Sequence, residues 1–390
     1  MGSSSGTTEA GATLHGRALE RPADAREVAA LLAEAARGHR RLRPVSGLRA
    51  PAAHDLPDAW ISLERLRGVV DWHPHEGTIT ALAGTTLAEL EAVAERDGWR
   101  VLPQLADPNR SSAGGMVAAG ASGLERLRHG PMRHHLLGAR LALPDGNVVK
   151  SGSRLVKNVT GYDLHRLAAG ARGTTGVVVE VSLRLAPLPR AAWTLEFEHA
   201  EWAPVDAAAQ ALLDSRCELD LLRASRSRGL WRLFAFGAGR PQTCARMLAL
   251  AREAVRAGAT SGPADFEDPG SPARAAWREA RAAETACGAT VELGSLRSEC
   301  SALVARLVER GFDVACVDPG LARVLLRLED HEADRLRAAL PPGVGARVSS
   351  FLPRTCAALA PRRDPARAAL EDRLRAALDP RGVLARRDPS

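Results

Sequence analysis

Lysine is nearly missing from this chain of 390 residues: Lys150 and Lys157 are the only two, and arginine supplies the other 51 basic residues. Tyrosine occurs once, at Tyr162, and aromatic residues make up 4% of the chain. With no basic run interleaved with aromatics, the net charge of +7 does not describe a nucleic-acid surface. The arginine skew, alongside abundant alanine, reads as coding bias, and no nucleic-acid partner is expected. No apolar stretch reaches the roughly 18–20 residues of a membrane helix, so no integral membrane segment is expected. The opening MGSSSGTTEAGAT lacks the basic and apolar regions of a signal peptide, and a cytoplasmic protein is expected. The six cysteines (Cys217, Cys244, Cys287, Cys300, Cys316, Cys356) form no CxxC pair, so no zinc or iron–sulfur site is expected and buried free thiols are. No GxGxxG joins a strand to a helix and no GxxxxGK[ST] is present, which excludes a Rossmann dinucleotide site and a P-loop.

What is present is the ordinary composition of a globular protein, 45% hydrophobic and 25% charged, at a length that suits two domains. The first half alternates helix and strand signals. Asp24 and Glu27 form a capping-box pattern ahead of Val28, Leu31, Leu32 and Ala35 at helical spacing, with Gly38 as the stop. Strands are expected over 42–45, 60–63, 69–72 and 78–83. A second capping box, Thr86 with Glu89, opens a helix that ends at Gly98. Pro144-Asp145-Gly146 reads as a hairpin turn, and residues 177–185 alternate as a strand closed by Pro187 and Pro189. Those prolines mark a domain boundary. Beyond them, strands near 193–198, 231–236, 290–293, 312–317 and 323–328 are separated by amphipathic helices, best at 242–256 and 299–310, as in an α+β unit. Asp318-Pro319-Gly320 suggests a hairpin. A last helix follows Pro361, with Pro365 near its first turn, and stops at Asp379-Pro380-Arg381-Gly382. The expected organisation is a flexible tail over 1–20, a first domain over 21–190, a cap over 191–360, and a C-terminal helix and tail over 361–390 that returns to the first domain.

Three stretches of the first half are poor in side chains. They are Arg43-Pro44-Val45-Ser46-Gly47-Leu48-Arg49, then PNRSSAGGMVAAGASG at 108–123, then GARGTTG at 170–176. Each taken singly reads as a tight turn. Together they are backbone that a flat or anionic ligand can approach closely, with N–H groups for phosphate oxygens.

The most specific run is KNVTGYDLHRL at 157–167, continued by AAGARGTTGVVVEVSLRLAPLP. With the earlier stretches, and with the ending LDPRGVL at 378–384, it resembles the vanillyl-alcohol oxidase (PCMH-type) family of FAD-binding proteins, and within it the FAD-binding subunits of bacterial glycolate oxidases. The resemblance covers about 25–189 and 364–384. It implies an α+β fold, a PCMH-type FAD-binding domain of two subdomains followed by an α+β cap. It also implies FAD as cofactor. Pro44, Val45, Ser46, Gly47, Leu48 and Arg49 would wrap the pyrophosphate. Ser111, Ser112, Gly114, Gly115, Ala118, Gly120 and Ser122 would line the isoalloxazine and ribityl side. Gly173, Gly176, Val177 and Val178 would lie near the adenine end.

Two positions depart from the family pattern. Gly47 is followed by Leu48-Arg49-Ala50-Pro51 where further glycine or serine is usual, and Pro51 has no N–H to give. The Asn-Pro-Gly-Arg ending is replaced by Ala385-Arg386-Arg387. His73, His75, Glu76, His134 and His135 read as loop residues, with no helical H-x-x-x-H pair to bind metal. His54 reads as a surface residue, with covalent flavin attachment as the alternative that the resemblance offers. No catalytic acid–base pair is singled out in the cap, which holds His199 and His331.

The implied function is that of an FAD-binding subunit in a complex that oxidises a small 2-hydroxy acid. Its implied partners are a larger FAD-containing oxidase subunit and an iron–sulfur subunit, through which it would sit peripherally at the inner membrane. Two alternatives stay open: a flavin-fold scaffold that does not hold FAD tightly, and a stand-alone FAD-dependent 2-hydroxy-acid dehydrogenase.

Overall fold

A computed structural model describes residues 13–45, 56–105, 107–123, 125–155, 162–258, 290–348 and 365–384. The chain divides into two compact units. The first draws its described residues from Met1–Gly123, Pro131–Leu188 and Arg363–Asp388, the second from Leu124–Gly130 and Pro189–Arg362.

Besides a two-stranded pairing of Trp99–Arg100 (β7) with Ala186–Pro187 (β11), the described residues of the first unit form two larger sheets. In one, Thr13–Leu14 (β1) pairs antiparallel with Arg17–Glu20 (β2), while Leu42–Val45 (β3) and β2 both run parallel to the central strand Ala59–Ser62 (β4). Residues 13–14 and 17–20, expected to lie in a flexible tail over 1–20, are strands, because β2 completes one side of the fully buried β4. The helix Ala25–Arg37 (α1) is the crossover between β2 and β3 and buries Val28, Leu32 and Ala35. Each large apolar side chain so buried is worth about 1.5–3 kcal/mol. Asp24 accepts the N–H groups of Arg26 and Glu27, but the Glu27 carboxylate reaches the N–H of Ala23 at 2.6 Å rather than that of Asp24. The helix stops at Gly38 as expected, but not through a left-handed glycine. Gly38 has φ −87°, and it is His39 that takes the left-handed conformation, at φ +53°, while the Arg40 N–H closes on the Ala35 carbonyl.

The other sheet is antiparallel, in the order Val69–His73 (β5), Thr78–Leu82 (β6), Val177–Arg184 (β10), Leu136–Ala142 (β8), Val148–Gly152 (β9). The strand β10 sits at its centre, with Val177, Val179, Val181 and Leu183 completely buried. Across it the hydroxyls of Thr80 and Ser182 pair at 2.8 Å. In the β8–β9 turn the Asn147 N–H donates to Asp145, which holds that carboxyl below its ordinary range. Following β6, Leu87–Ala94 (α2) carries the expected capping box in full: the Glu89 N–H donates to the Thr86 hydroxyl and the Thr86 N–H to the Glu89 carboxylate. Thr86→Ala is expected to cost about 1 kcal/mol, read as a lower denaturant midpoint with an unchanged slope.

The second unit is built on a seven-stranded sheet. Its order is Ala191–His199 (β12), Leu230–Gly239 (β14), Leu221–Ser227 (β13), Asp313–Asp318 (β16), Arg323–Arg327 (β17), Val291–Gly294 (β15), Gly345–Val348 (β18). Leu195, Leu222, Ala224, Leu233, Val317 and Val324 pack in one core with the helices Trp202–Asp214, Pro241–Gly258 and Arg297–Glu309. The alternate residues Leu221, Phe236 and Ala192 form a separate small cluster, as period-two side-chain alternation requires. Burial pushes the Cys300 thiol up to about 11, so it is inert as a nucleophile.

The boundary between units departs from the expected 21–190 block. Residues of Leu124–Gly130 belong with the second unit. There Arg128 donates to Glu218 at 2.6 Å and to the Ala238 carbonyl at 3.0 Å, and His129 lies 3.3 Å from the fully buried Asp220. Among the described residues no helix is long and apolar enough to cross a membrane.

Candidate functional site

The three side-chain-poor stretches meet in the first unit. The second is not a loop throughout: Ala113–Ala119 (α3) is helical, N-capped by the Ser112 hydroxyl, which accepts the Gly115 N–H at 3.2 Å. The helix ends at Gly120, which takes φ +60°. It is pinned at its start to the strand end before α2, with Ala113 N–H donating to Thr85 O and Gly114 N–H to Ala83 O, both at 2.8 Å. Gly114 permits that approach, since a β-carbon there would lie 2.6 Å from Ala83 Cβ. The Ser111 hydroxyl donates to the Asp107 carbonyl at 2.7 Å. Met116 and Val117 are buried beneath α3, while Gly115, Ala118, Gly120 and Ser122 are partly open and Ala119 is exposed. The uncovered side of α3 thus presents little beyond main chain and β-carbons.

The third stretch lies against the end of α3. Gly170 N–H donates to Val117 O at 3.0 Å and Arg172 N–H to Ala118 O at 2.8 Å. A β-carbon on Gly120 would stand 3.0 Å from Gly170 Cα. Within 170–176 the φ angles of Gly170, Arg172, Gly173 and Gly176 are all positive, a coiled path that glycine makes accessible. The first stretch touches the third: a β-carbon on Gly173 would lie 2.4 Å from Pro44 Cγ. Main chain of the second and third stretches, and Pro44 of the first, therefore come together.

Some expected residues take other places. Val177 and Val178 are core residues of β10, so those positions have only main chain to offer. A β-carbon on Gly176 would meet Leu143 Cδ2 at 3.0 Å, which places that glycine against β8. Val45 is buried at the end of β3. Ser46, Gly47, Leu48, Arg49 and His54 lie outside the described residues, as do Lys157 to Gly161. Tyr162 is 90% exposed.

Sequence reasoning missed an anchor in the same run. His165 is buried, its N–H accepted by the Ser151 hydroxyl at 3.0 Å and its Nδ1 3.4 Å from that oxygen. Burial lowers its pKa, against an opposing pull from Asp163, so the neutral imidazole is favoured. This ties the turn Leu164–Leu167 onto β9 and sets where residues 168–176 begin. The one signal is a histidine in that run, set between Leu164 and Arg166.

Residues 17–152, nearly all of them in the first unit, match the family model described as FAD binding domain. The chain is 40% identical over 136 residues to glycolate oxidase subunit GlcE of Escherichia coli (strain K12), a match covering 34% of this chain and 38% of that protein. It is 33% identical over 137 residues to glycolate oxidase subunit GlcD of Bacillus subtilis (strain 168), covering 35% of this chain and 28% of that one. The chain thus matches well under half the length of these relatives. The fold extends further: a solved structure of alkyldihydroxyacetonephosphate synthase superposes with a TM-score of 0.67 over 95% of this chain and 76% of that chain, at 14% identity.

Proposed function

We propose that this chain is the FAD-binding subunit of an oxidase complex that acts on a small 2-hydroxy acid and passes the electrons to a partner iron–sulfur subunit. The observation that carries this reading is the meeting of Pro44, Gly120, Gly170 and Gly173 within a domain that matches an FAD-binding family. Backbone around Pro44 and Val45 would hold the pyrophosphate, and the open side of α3 at Gly115, Ala118 and Gly120 would face the ring system. Bound flavin supplies the two-electron acceptor for the carbon that carries the hydroxyl.

The relatives are named as subunits of glycolate oxidase, which supports the reading that this chain works in a multi-subunit oxidase. A further support is chemical. Oxidising a 2-hydroxy acid calls for a base near the α-carbon and a cation for the carboxylate. In the second unit the buried Arg223 and the partly buried Arg323 are both engaged by Asp318. A division of labour, in which a larger FAD-containing subunit supplies that chemistry, accounts for this.

The test is a visible spectrum and an FAD titration on the purified chain, followed by dye reduction with glycolate, alone and with candidate partner subunits. Flavin uptake with substrate-dependent reduction only in the assembled complex is expected. Reduction by the isolated chain would establish a stand-alone dehydrogenase instead. A colourless chain that takes up no FAD, yet associates with the partners, would establish the scaffold role.

A further inference from the structure

The structure assigns Asp379 the role of a positioning residue for the first flavin-facing stretch, Pro44–Val45; this rests on the FAD-binding reading above. Asp379 follows the helix Pro365–Leu378, and its N–H closes on Arg375 O at 2.7 Å. A carboxylate at the C-terminal end of a helix opposes the helix dipole, so its placement there needs another cause. The cause is visible on its two oxygens. Oδ1 accepts the Val383 N–H and Oδ2 accepts the Leu384 N–H, both at 2.8 Å. Gly382, at φ +66°, lets the chain turn back tightly enough for this.

The turn has a load to carry. Val383 O accepts the Leu42 N–H at 2.7 Å, and Leu384 bridges Leu42 in parallel. Val383 and Leu384 are both buried in the core of the first unit. The C-terminal segment thereby lines the side of β3 away from β4, and Arg381 donates to Ala36 O near the end of the helix that leads into β3. Two residues beyond Leu42 is Pro44, the residue that bears on Gly173. A carboxylate holding two N–H groups therefore fixes the outer rail of the strand that delivers the first stretch to the third. Hydrogen bonds to a charged acceptor are worth more than neutral ones, and here the two are made by one side chain.

The test compares wild type with Asp379→Ala and Asp379→Asn in the full chain. FAD affinity is measured by titration well below the melting temperature, and amide exchange is measured by peptide. We expect Asp379→Ala to weaken FAD binding at least tenfold and to raise exchange in peptides spanning 42–45 and 170–174, with the second unit unchanged. Asp379→Asn, which keeps one acceptor oxygen, should fall between. If Asp379→Ala does not fold, the Asn variant carries the comparison. Unchanged exchange at 42–45 in a variant that binds FAD like wild type would overturn the inference. Wild type failing to bind FAD would instead overturn the flavin reading, while the exchange at 42–45 would still decide whether Asp379 positions β3.

Discussion

Gly173→Val is expected to abolish measurable FAD binding and to destabilise the first unit by about 2–5 kcal/mol. Two causes add. The position has φ +82°, where a residue with a β-carbon is strained by roughly 1–2 kcal/mol. The β-carbon itself would stand 2.4 Å from Pro44 Cγ, and relieving such overpacking costs about 1–3 kcal/mol. Pro44 has little freedom to yield. Its strand is paired with β4 in register, Pro44 opposite Ile61, and Leu42 is held from the other side by Val383. The displacement therefore passes into the first and third stretches, the surfaces that would enclose the cofactor. Gly68→Ala serves as the control. It has φ +129° with no atom within 4 Å of the added carbon, so it carries strain without contact. Denaturant unfolding should register both variants, and flavin titration should register Gly173→Val alone. Wild-type FAD affinity in Gly173→Val would refute the convergence of these stretches on a common ligand.

The features legible in the sequence were those with local causes. Thr86 and Glu89 satisfy each other's backbone within one turn of helix, so four residues suffice to read them. The Pro144-Asp145-Gly146 turn is equally self-contained, with Asp145 accepting from Asn147. The features that escaped reading depend on distant partners. Ala113–Ala119 is helical despite two glycines because Ala83 and Thr85 accept its first N–H groups, and no local pattern announces that. The segment around Arg128 and His129 looks like a loop of the first domain, and only the carboxylates at Glu218 and Asp220 reveal its place in the second unit. The strand Leu221–Ser227 was hidden because Arg223, Ser225, Arg226 and Ser227 leave it little apolar pattern to read. For the candidate site, the glycine-rich composition was visible, but the difference between glycines was not. Gly176 is small for packing against β8, whereas Gly173 is small because Pro44 of another side-chain-poor stretch lies on it.

Arg223 is also the starting point of the largest expected loss in the second unit. Its guanidinium donates to both oxygens of Asp318, at 2.6 and 3.0 Å, and Arg323 donates twice to Oδ2, at 2.8 and 2.6 Å. The three residues come from adjacent strands: Asp318 lies opposite Arg323, and β13 pairs with β16 one residue away. Asp318 is 1% exposed. Burial pushes its carboxyl up, but Arg223 and Arg323 more than offset this and hold it below the ordinary carboxylate range. Asp318→Ala leaves the buried Arg223 and the partly buried Arg323 without their shared counter-charge, and a loss of about 3–5 kcal/mol is expected. The pH dependence has a definite sign. Because the folded carboxyl titrates below its unfolded value near about 3.9, the stabilisation is complete above that value. It is lost as the pH falls through the lower folded value. Asp318→Asn should therefore be less stable at neutral pH and should approach wild type in acid. Replacing all three residues with apolar ones of similar volume (Arg223→Met, Asp318→Leu, Arg323→Met) removes the buried charges together, and is expected to cost far less than Asp318→Ala alone. Denaturant titrations of these variants at neutral and acid pH decide the matter: equal stability of Asp318→Asn and wild type at neutral pH would show that solvent, not this trio, carries the charge.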